Sequence, residues 1–210
     1  MTNFIPLFPL GIVVYPGEQL NLHIFEPRYK QLITDSVAAS KPFGIPTVLN
    51  GNVTDTGTTV VVKQIVKQYT DGCMDIKTEA EQVFTLLETI PTLPDKMYQG
   101  AIVTYPNYST TGSFAKMQKL LLLVKALHKL IQVQKQFGRP DNELCTYDIA
   151  HHVGFTLQQE YELLTIPLEI QRQEYVQRHL QSIIPILSEM ENLKTKIHLN
   201  GHFKQLKGLE

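Results

Sequence analysis

Apolar and polar positions change their rhythm along this chain, and the change divides it near residue 107. Before that point the apolar residues come in short alternating or β-branched runs broken by Pro and Gly, the pattern of strands between turns. Ile12 to Tyr15 reads as a strand and Pro16-Gly17 as the turn after it, with Pro setting φ and Gly permitting φ > 0. Leu20, Leu22 and Ile24 alternate with Asn21 and His23, as in a strand with one buried face. Pro27 suits the first turn of a helix. Tyr29, Leu32, Ile33 and Val37 then repeat at helical spacing, which predicts an amphipathic helix over 27–39. Phe43 to Leu49 reads as a strand that Pro46 confines to an edge or a bulge. Thr58 to Tyr69 is a β-branched run, Asp71-Gly72 signals a hairpin, and Met74 to Thr78 returns antiparallel. Gln82 to Glu88 and Gly100 to Tyr105 complete a set of roughly six strands, the size of a small curled sheet or partial barrel.

Beyond residue 107 the period becomes helical. Ser113 is placed to cap a helix from Phe114 to Phe137, buried on most sides apart from a polar stripe of Lys125, Lys129, Gln132 and Gln136. Gly138 and Pro140 are placed to end it. Asp148 to Val153 reads as a short helix stopped by Gly154. Thr156, with Gln159 at the capping-box position, opens a helix over 157–164. A last helix is expected from about Pro167 to Ile197, kinked or broken at Pro185. The pattern thus predicts an α+β chain: a β domain over 1–107 with one inserted helix, then a helical bundle over 108–210 packed against it.

Composition narrows the function classes. The chain has 210 residues, 43% of them hydrophobic, and a net charge of −1, so a packed core is within reach. Residues 1–107 carry 7 Lys and Arg against 10 Asp and Glu, and residues 108–210 carry 12 against 10. Neither half has the basic excess of a nucleic-acid binder. Two cysteines, Cys73 and Cys145, cannot make a disulfide framework or a four-cysteine zinc site. The opening lacks a basic stretch followed by an apolar run, and Leu120 to Val124 is too short to span a membrane, which predicts a cytoplasmic protein.

The candidate chemistry is sparse. Glu26 and Arg28 flank Pro27 at a strand-to-helix junction. Glu26 is expected to accept N–H groups at the helix start while Arg28 pairs locally. The functional alternative makes them, with Tyr29, part of a recognition surface. His23 faces opposite to Leu22 and Ile24 and reads as a hydrogen-bonded structural residue. Ser113-Phe114-Ala115-Lys116 matches S-x-x-K, but the S-D-N and K-T-G motifs of penicillin-binding enzymes are missing, and Ser113 is needed as a cap. His151 and His152 are adjacent and so point apart on a helix. Cys145, six residues earlier, is near enough to join one of them, His128 and His179 approach only through tertiary folding, and no ligand pair has zinc spacing. Asn52-Val53-Thr54 and Asn107-Tyr108-Ser109 match the glycosylation pattern and read as plain loop residues. The tail from Lys194 to Lys207, with four lysines and two histidines, reads as a solvated, partly disordered terminus.

One stretch is more specific than the rest. Pro6-Leu7-Phe8-Pro9-Leu10, the Pro16-Gly17 turn, Leu22-His23-Ile24-Phe25-Glu26 and Arg28-Tyr29, in that order and spacing, resemble the opening of the Lon protease amino-terminal (substrate-binding) domain family. Phe43-Gly44 fits the same pattern. Asp148-Ile149-Ala150, Leu163-Leu164 and Arg178-His179-Leu180 are similar to its helical continuation. The resemblance implies a PUA-like β fold followed by helices. It also implies recognition of polypeptide clients, or of a protease or chaperone partner, without catalysis, cofactor or metal. His23, Phe25, Glu26, Arg28 and Tyr29 are then the candidate partner-binding residues, and RNA binding is the alternative by analogy with PUA-like folds. No G-x-x-x-x-G-K-[ST] loop occurs and only ten residues follow residue 200, so neither the ATPase nor the protease of Lon is expected.

Overall fold

The computed structural model describes residues 2–206. They form two compact units. The first runs to Ser109 and takes in Phe155–Pro167; the second holds Thr110–Gly154 and the residues from Leu168 on.

The first unit is built on one antiparallel sheet. Its strands are β1 (Thr2–Pro6), β2 (Gln19–Ile24), β3 (Phe43–Leu49), β4 (Asn52–Gln68), β5 (Met74–Ile90) and β6 (Gly100–Thr104). They lie in the order β1-β6-β5-β4-β3, with β2 paired to the near half of β5. The segment after β1 then runs parallel to β3. Phe8 N–H donates to Gly44 O at 2.8 Å, Leu10 N–H to Pro46 O at 3.2 Å, and Val48 N–H to Leu10 O at 2.7 Å.

Helix α1 (Pro27–Ala39) starts on Pro27 and ends at Ser40, which takes the left-handed conformation with φ 50°. It buries Tyr29, Leu32 and Ile33 in a core with Phe8, Phe43 and Ile76. Helix α2, the next helix in the chain (Phe114–Leu130), belongs to the second unit, as does α3 (Thr146–Ile149), which continues into one 3-10 turn over Ala150–His152. Helix α4 (Leu157–Thr165) belongs to the first unit and packs on β3 and β4. Its capping box forms as the sequence predicts. Gln159 N–H donates to Thr156 Oγ1 at 3.3 Å, and Thr156 N–H donates to Gln159 Oε1 at 2.9 Å.

Several strand expectations are corrected. Ile12–Tyr15 is not a strand; Val13, Val14 and Tyr15 are buried in irregular chain. The first strand is instead Thr2–Pro6, which pairs with β6. Met74–Thr78 and Gln82–Glu88 are one continuous strand, because β4 pairs with it across the gap, from Met74 to Thr85, and absorbs the mismatch in register shifts. Asn52-Val53-Thr54 is not loop but the start of β4. Asn50 (φ 50°) and Gly51 (φ 81°) make the two-residue turn from β3. Asn-Gly is the strongest hairpin pair there is, since both positions require φ > 0. Pro46 lies where the β3–β4 register shifts, on the last strand of the order.

The second unit packs α2 and α3 against α5 (Glu169–Leu206). Helix α2 ends seven residues before Phe137. Gln132 takes φ 57°, Val133 N–H reaches back to His128 O at 2.9 Å, and Gln132 N–H to Lys129 O at 3.4 Å. This is a Schellman closure made by a glutamine rather than by Gly138. Nor is α2 buried on most sides. Met117, Leu120, Leu121, Val124 and Leu127 form a single buried face, while Leu122 and Phe114 are exposed. Helix α5 runs unbroken through Pro185. The expected disordered tail is the last part of α5 as far as Leu206, and Lys207 lies outside the described residues.

Candidate functional site

Three strands bring the candidate partner-binding residues to the hairpin end of the sheet. Register places His23 of β2 opposite Asp75 of β5, and Asp75 opposite Lys67 of β4. His23 Nδ1 lies 2.6 Å from Asp75 Oδ1, and the Tyr69 hydroxyl donates to Asp75 Oδ2 at 2.8 Å. These two hydrogen bonds, His23's the larger effect, hold the Asp75 carboxyl below the ordinary carboxylate range. With Asp75 as anchor, the rings assemble around it. Phe25 stacks on His23 with centroids 6.2 Å apart, Tyr69 meets His23 edge-on at 5.8 Å, and the Lys67 ammonium sits 4.3 Å over the Tyr69 ring.

The result is an exposed aromatic cluster on a polar pedestal. Phe25 is 61% exposed, held there because it follows the last residue of β2 and precedes the Glu26 cap of α1. Beside it runs a shallow groove of about 360 Å³, lined by Asn21, Leu22, His23, Val66, Asp75, Ile76 and Lys77. Val66 is itself exposed. The outer edge of β4 borders this area. Beyond Val60 that strand pairs with β5 alone, and two register shifts and Lys63 and Lys67 interrupt it. Bulges and lysines of this kind discourage indiscriminate strand addition.

The other expected residues divide. Glu26 occupies the N-cap position of α1 but makes no side-chain cap; its carboxylate accepts from Arg28 Nε at 2.9 Å and Nη2 at 2.7 Å. The expectation that it would bond helix N–H groups is therefore corrected: the adjacent guanidinium offers two charge-assisted donors at once. Arg28 also lies 4.5 Å over the Tyr29 ring. Tyr29 is buried and packs on Phe8 with centroids 4.0 Å apart, so its ring serves the core. Sequence reasoning missed Tyr69, Lys67, Val66 and Asp75. Asp71-Gly72 announced the hairpin that carries them, but only the strand register sets them beside His23.

The competing signals are accounted for structurally. Ser113 Oγ accepts from Lys116 N–H at 3.3 Å as a helix cap, and the Lys116 ammonium pairs with Glu174 at 2.5 Å. His128 and His179 place Nε2 against the carbonyls of His152 and Val153 at 2.8 and 3.1 Å. Among the described residues no group of three or more His, Cys, Asp or Glu side chains could hold a metal ion. Burial, first of all, pushes the Cys145 thiol up to about 12, far from the thiolate a nucleophile needs. No described helix is long and apolar enough to cross a membrane.

The model of the ATP-dependent protease La (LON) substrate-binding domain matches residues 5–182. The chain belongs to the Lon substrate-binding domain family. Among solved structures it is similar to a Lon N-terminal domain protein from Xanthomonas campestris. That comparison has a TM-score of 0.65 and 21% identity, and covers 84% of this chain and 98% of the other. It is also similar to the N-terminal domain of the Mycobacterium avium complex Lon protease, at a TM-score of 0.62 and 14% identity, over 85% of this chain and 98% of that one. At these identities the likeness to the two structures shows the shared fold. Among curated proteins, none matches the chain. The described residues of this Lon-family chain thus form a mixed α/β structure with an antiparallel sheet and five α-helices, of a family whose domain serves substrate recognition.

Proposed function

We propose that this Lon-family domain is a non-enzymatic recognition module that holds exposed apolar segments of other polypeptides at the Phe25–His23–Tyr69 surface of its sheet unit. One observation carries the reading: Phe25, a large aromatic, stands mostly in solvent yet is fixed in place by stacking on a histidine that is itself hydrogen-bonded to Asp75. An exposed, preorganised aromatic next to an apolar groove suits a hot-spot anchor. It buries area at about 25 cal/mol per Å² on binding without first losing side-chain freedom. The parallel pairing of Leu7–Leu10 with β3 supports reading the sheet as a PUA-like partial barrel. The cluster's mixed charges, Asp75 and Lys67 side by side, favour polypeptide over nucleic acid, because phosphate recognition requires unpaired cations.

The test is binding of a permanently unfolded, reduced and alkylated polypeptide, followed by fluorescence anisotropy. Phe25→Ala or Tyr69→Ala is expected to weaken binding by about 5- to 30-fold, with little change between low and high salt. Wild-type affinity in the Phe25→Ala/Tyr69→Ala double variant would remove this surface from the proposal. Tight, salt-sensitive binding of structured RNA in its place would overturn the polypeptide reading.

A further inference from the structure

A cavity of about 400 Å³ opens in the sheet unit between β1 and the end of α1, and shares no residue with the groove beside Phe25. The four consecutive residues Asn3 to Pro6 all line it. Successive side chains of a strand point to opposite faces, so the cavity runs along the edge of β1 rather than under one face. That edge is open. Leu7 N–H donates toward β6, to Gln99 O at 2.9 Å, while Phe8 N–H donates the other way, to Gly44 of β3. Backbone groups alternate in direction along a strand, so the Phe4 N–H and C=O point with those of Phe8, away from β6. They meet no strand there. Among the described strands β1 pairs with β6 alone, and bridging to β3 begins only at Leu7.

Around this open donor and acceptor stand three rings and one uncompensated cation. Phe4 is 48% exposed yet held in place, since its ring lies so close over Gly100 that a Cβ there would run into it. Tyr98 is buried, with its hydroxyl donating to Asp35 at 2.7 Å, and Tyr105 is half-buried. Asp35 and Lys41 are the charged residues of the lining. Asp35 is already paired with Lys96 at 2.8 Å, whereas Lys41 has no ion-pair partner among the described residues. The Glu81 carboxylate acts on Tyr105 from outside the lining. Ser36, 5% exposed, lines the cavity too, and its hydroxyl has no hydrogen-bond partner. Lys41 N–H donates to Ser36 O at 3.0 Å, so both belong to one corner. A buried hydroxyl left alone is destabilising, and a ligand oxygen that reaches it removes the penalty. We infer that this cavity binds an N-acylated aromatic amino acid, as a free acid or as the carboxyl-terminal residue of a chain. Its amide meets the Phe4 N–H and C=O as an added strand would, its ring enters among Phe4, Tyr98 and Tyr105, and its carboxylate takes the Lys41 ammonium and the Ser36 hydroxyl. The inference does not depend on the Phe25 surface.

Titration of the isotope-labelled full chain with N-acetyl-L-phenylalanine, followed by amide NMR shifts, tests it. Saturable shifts centred on Phe4, Ser36 and Lys41 are expected, with a Kd of roughly 0.1–1 mM for a ligand of this size. N-acetyl-L-phenylalaninamide, equal in shape but uncharged, should bind about tenfold more weakly, and Lys41→Gln should abolish that difference. Ser36→Ala should weaken the acid about three- to tenfold without lowering the unfolding midpoint. Phe25→Ala should leave it unchanged, which separates this site from the recognition surface. A short peptide ending in Phe, with a free carboxylate, distinguishes the two sources: displacement of the acid at a Kd about tenfold lower or better assigns the site to chain ends, and weaker binding assigns it to free acids. Absence of saturable shifts up to about 10 mM acid would overturn the inference. So would equal affinity for acid and amide, or shifts that survive Ala39→Trp, a substitution at an exposed residue of the lining that fills the cavity.

Discussion

Single residues in this protein show how much a side chain's role depends on what is packed over it. Glu169 and Arg172 stand three apart at the start of α5, a spacing that in sequence reads as an ordinary solvated helix pair. In the folded second unit both are buried. Arg172 donates from Nε and Nη2 to Glu169 Oε2 at 2.9 Å each, Thr146 donates its N–H and Oγ1–H to Glu169 Oε1 at 2.8 and 2.5 Å, and the guanidinium lies 4.3 Å from the Tyr147 ring centroid. Removing one partner leaves a buried charge without compensation. Arg172→Met is therefore expected to destabilise the second unit by about 3–5 kcal/mol, read from urea unfolding. His179 behaves differently. Burial pushes its pKa below the ordinary 6.5, against the opposing effect of bonds to Val153 and Gly154. The folded state thus binds this proton less readily than the unfolded chain. The stability it contributes is complete above pH 6.5 and is lost as pH falls through the lower folded value. Unfolding midpoints measured from about pH 7.5 down to about pH 5 should decline, and His179→Gln should flatten that decline.

At the scale of elements, local signals predicted starts better than ends. The Thr156–Gln159 box, Pro27 at the first turn of α1 and the Asp71-Gly72 hairpin act through neighbours in sequence, so they were legible. The close of α2 was not. Gln132 pays about 1 kcal/mol or more to adopt a left-handed conformation that glycine would take freely, and no residue pattern advertises such a choice. The Phe25 cluster shows the same limit. His23 and Phe25 could be picked out in β2, but Asp75 and Tyr69 join them only through the β2–β5–β4 register. Gly57 shows register acting on a single position. It lies opposite Pro46 on β3 and Phe84 on β5, and a Cβ there would come within 2.6 Å of Pro46 Cα and 2.7 Å of the Phe84 ring. Gly57→Ala should cost about 2 kcal/mol or more, seen as a lower thermal midpoint, because backbone cannot yield as a flexible side chain does.

At the scale of the whole molecule, the chain does not respect its own change of rhythm. The helical period beyond residue 107 put 155–167 with the other helices, yet α4 returns to the sheet unit. There Tyr161 donates to Asp55 at 2.7 Å, Tyr15 donates to the Glu160 carbonyl at 3.0 Å, and Leu163 and Leu164 are buried. The sequence by itself determined the kinds of element, most of their starting points, and the family, through the order of its opening motifs. Those depend on hydrophobic period, capping and turn chemistry, which act over a few residues. Tertiary structure decided which strands adjoin, which charged pair is buried, which unit α4 joins, and which edge of β1 is left open. Each of these depends on contacts between residues far apart in sequence, and periodicity marks a face as apolar without saying what will cover it.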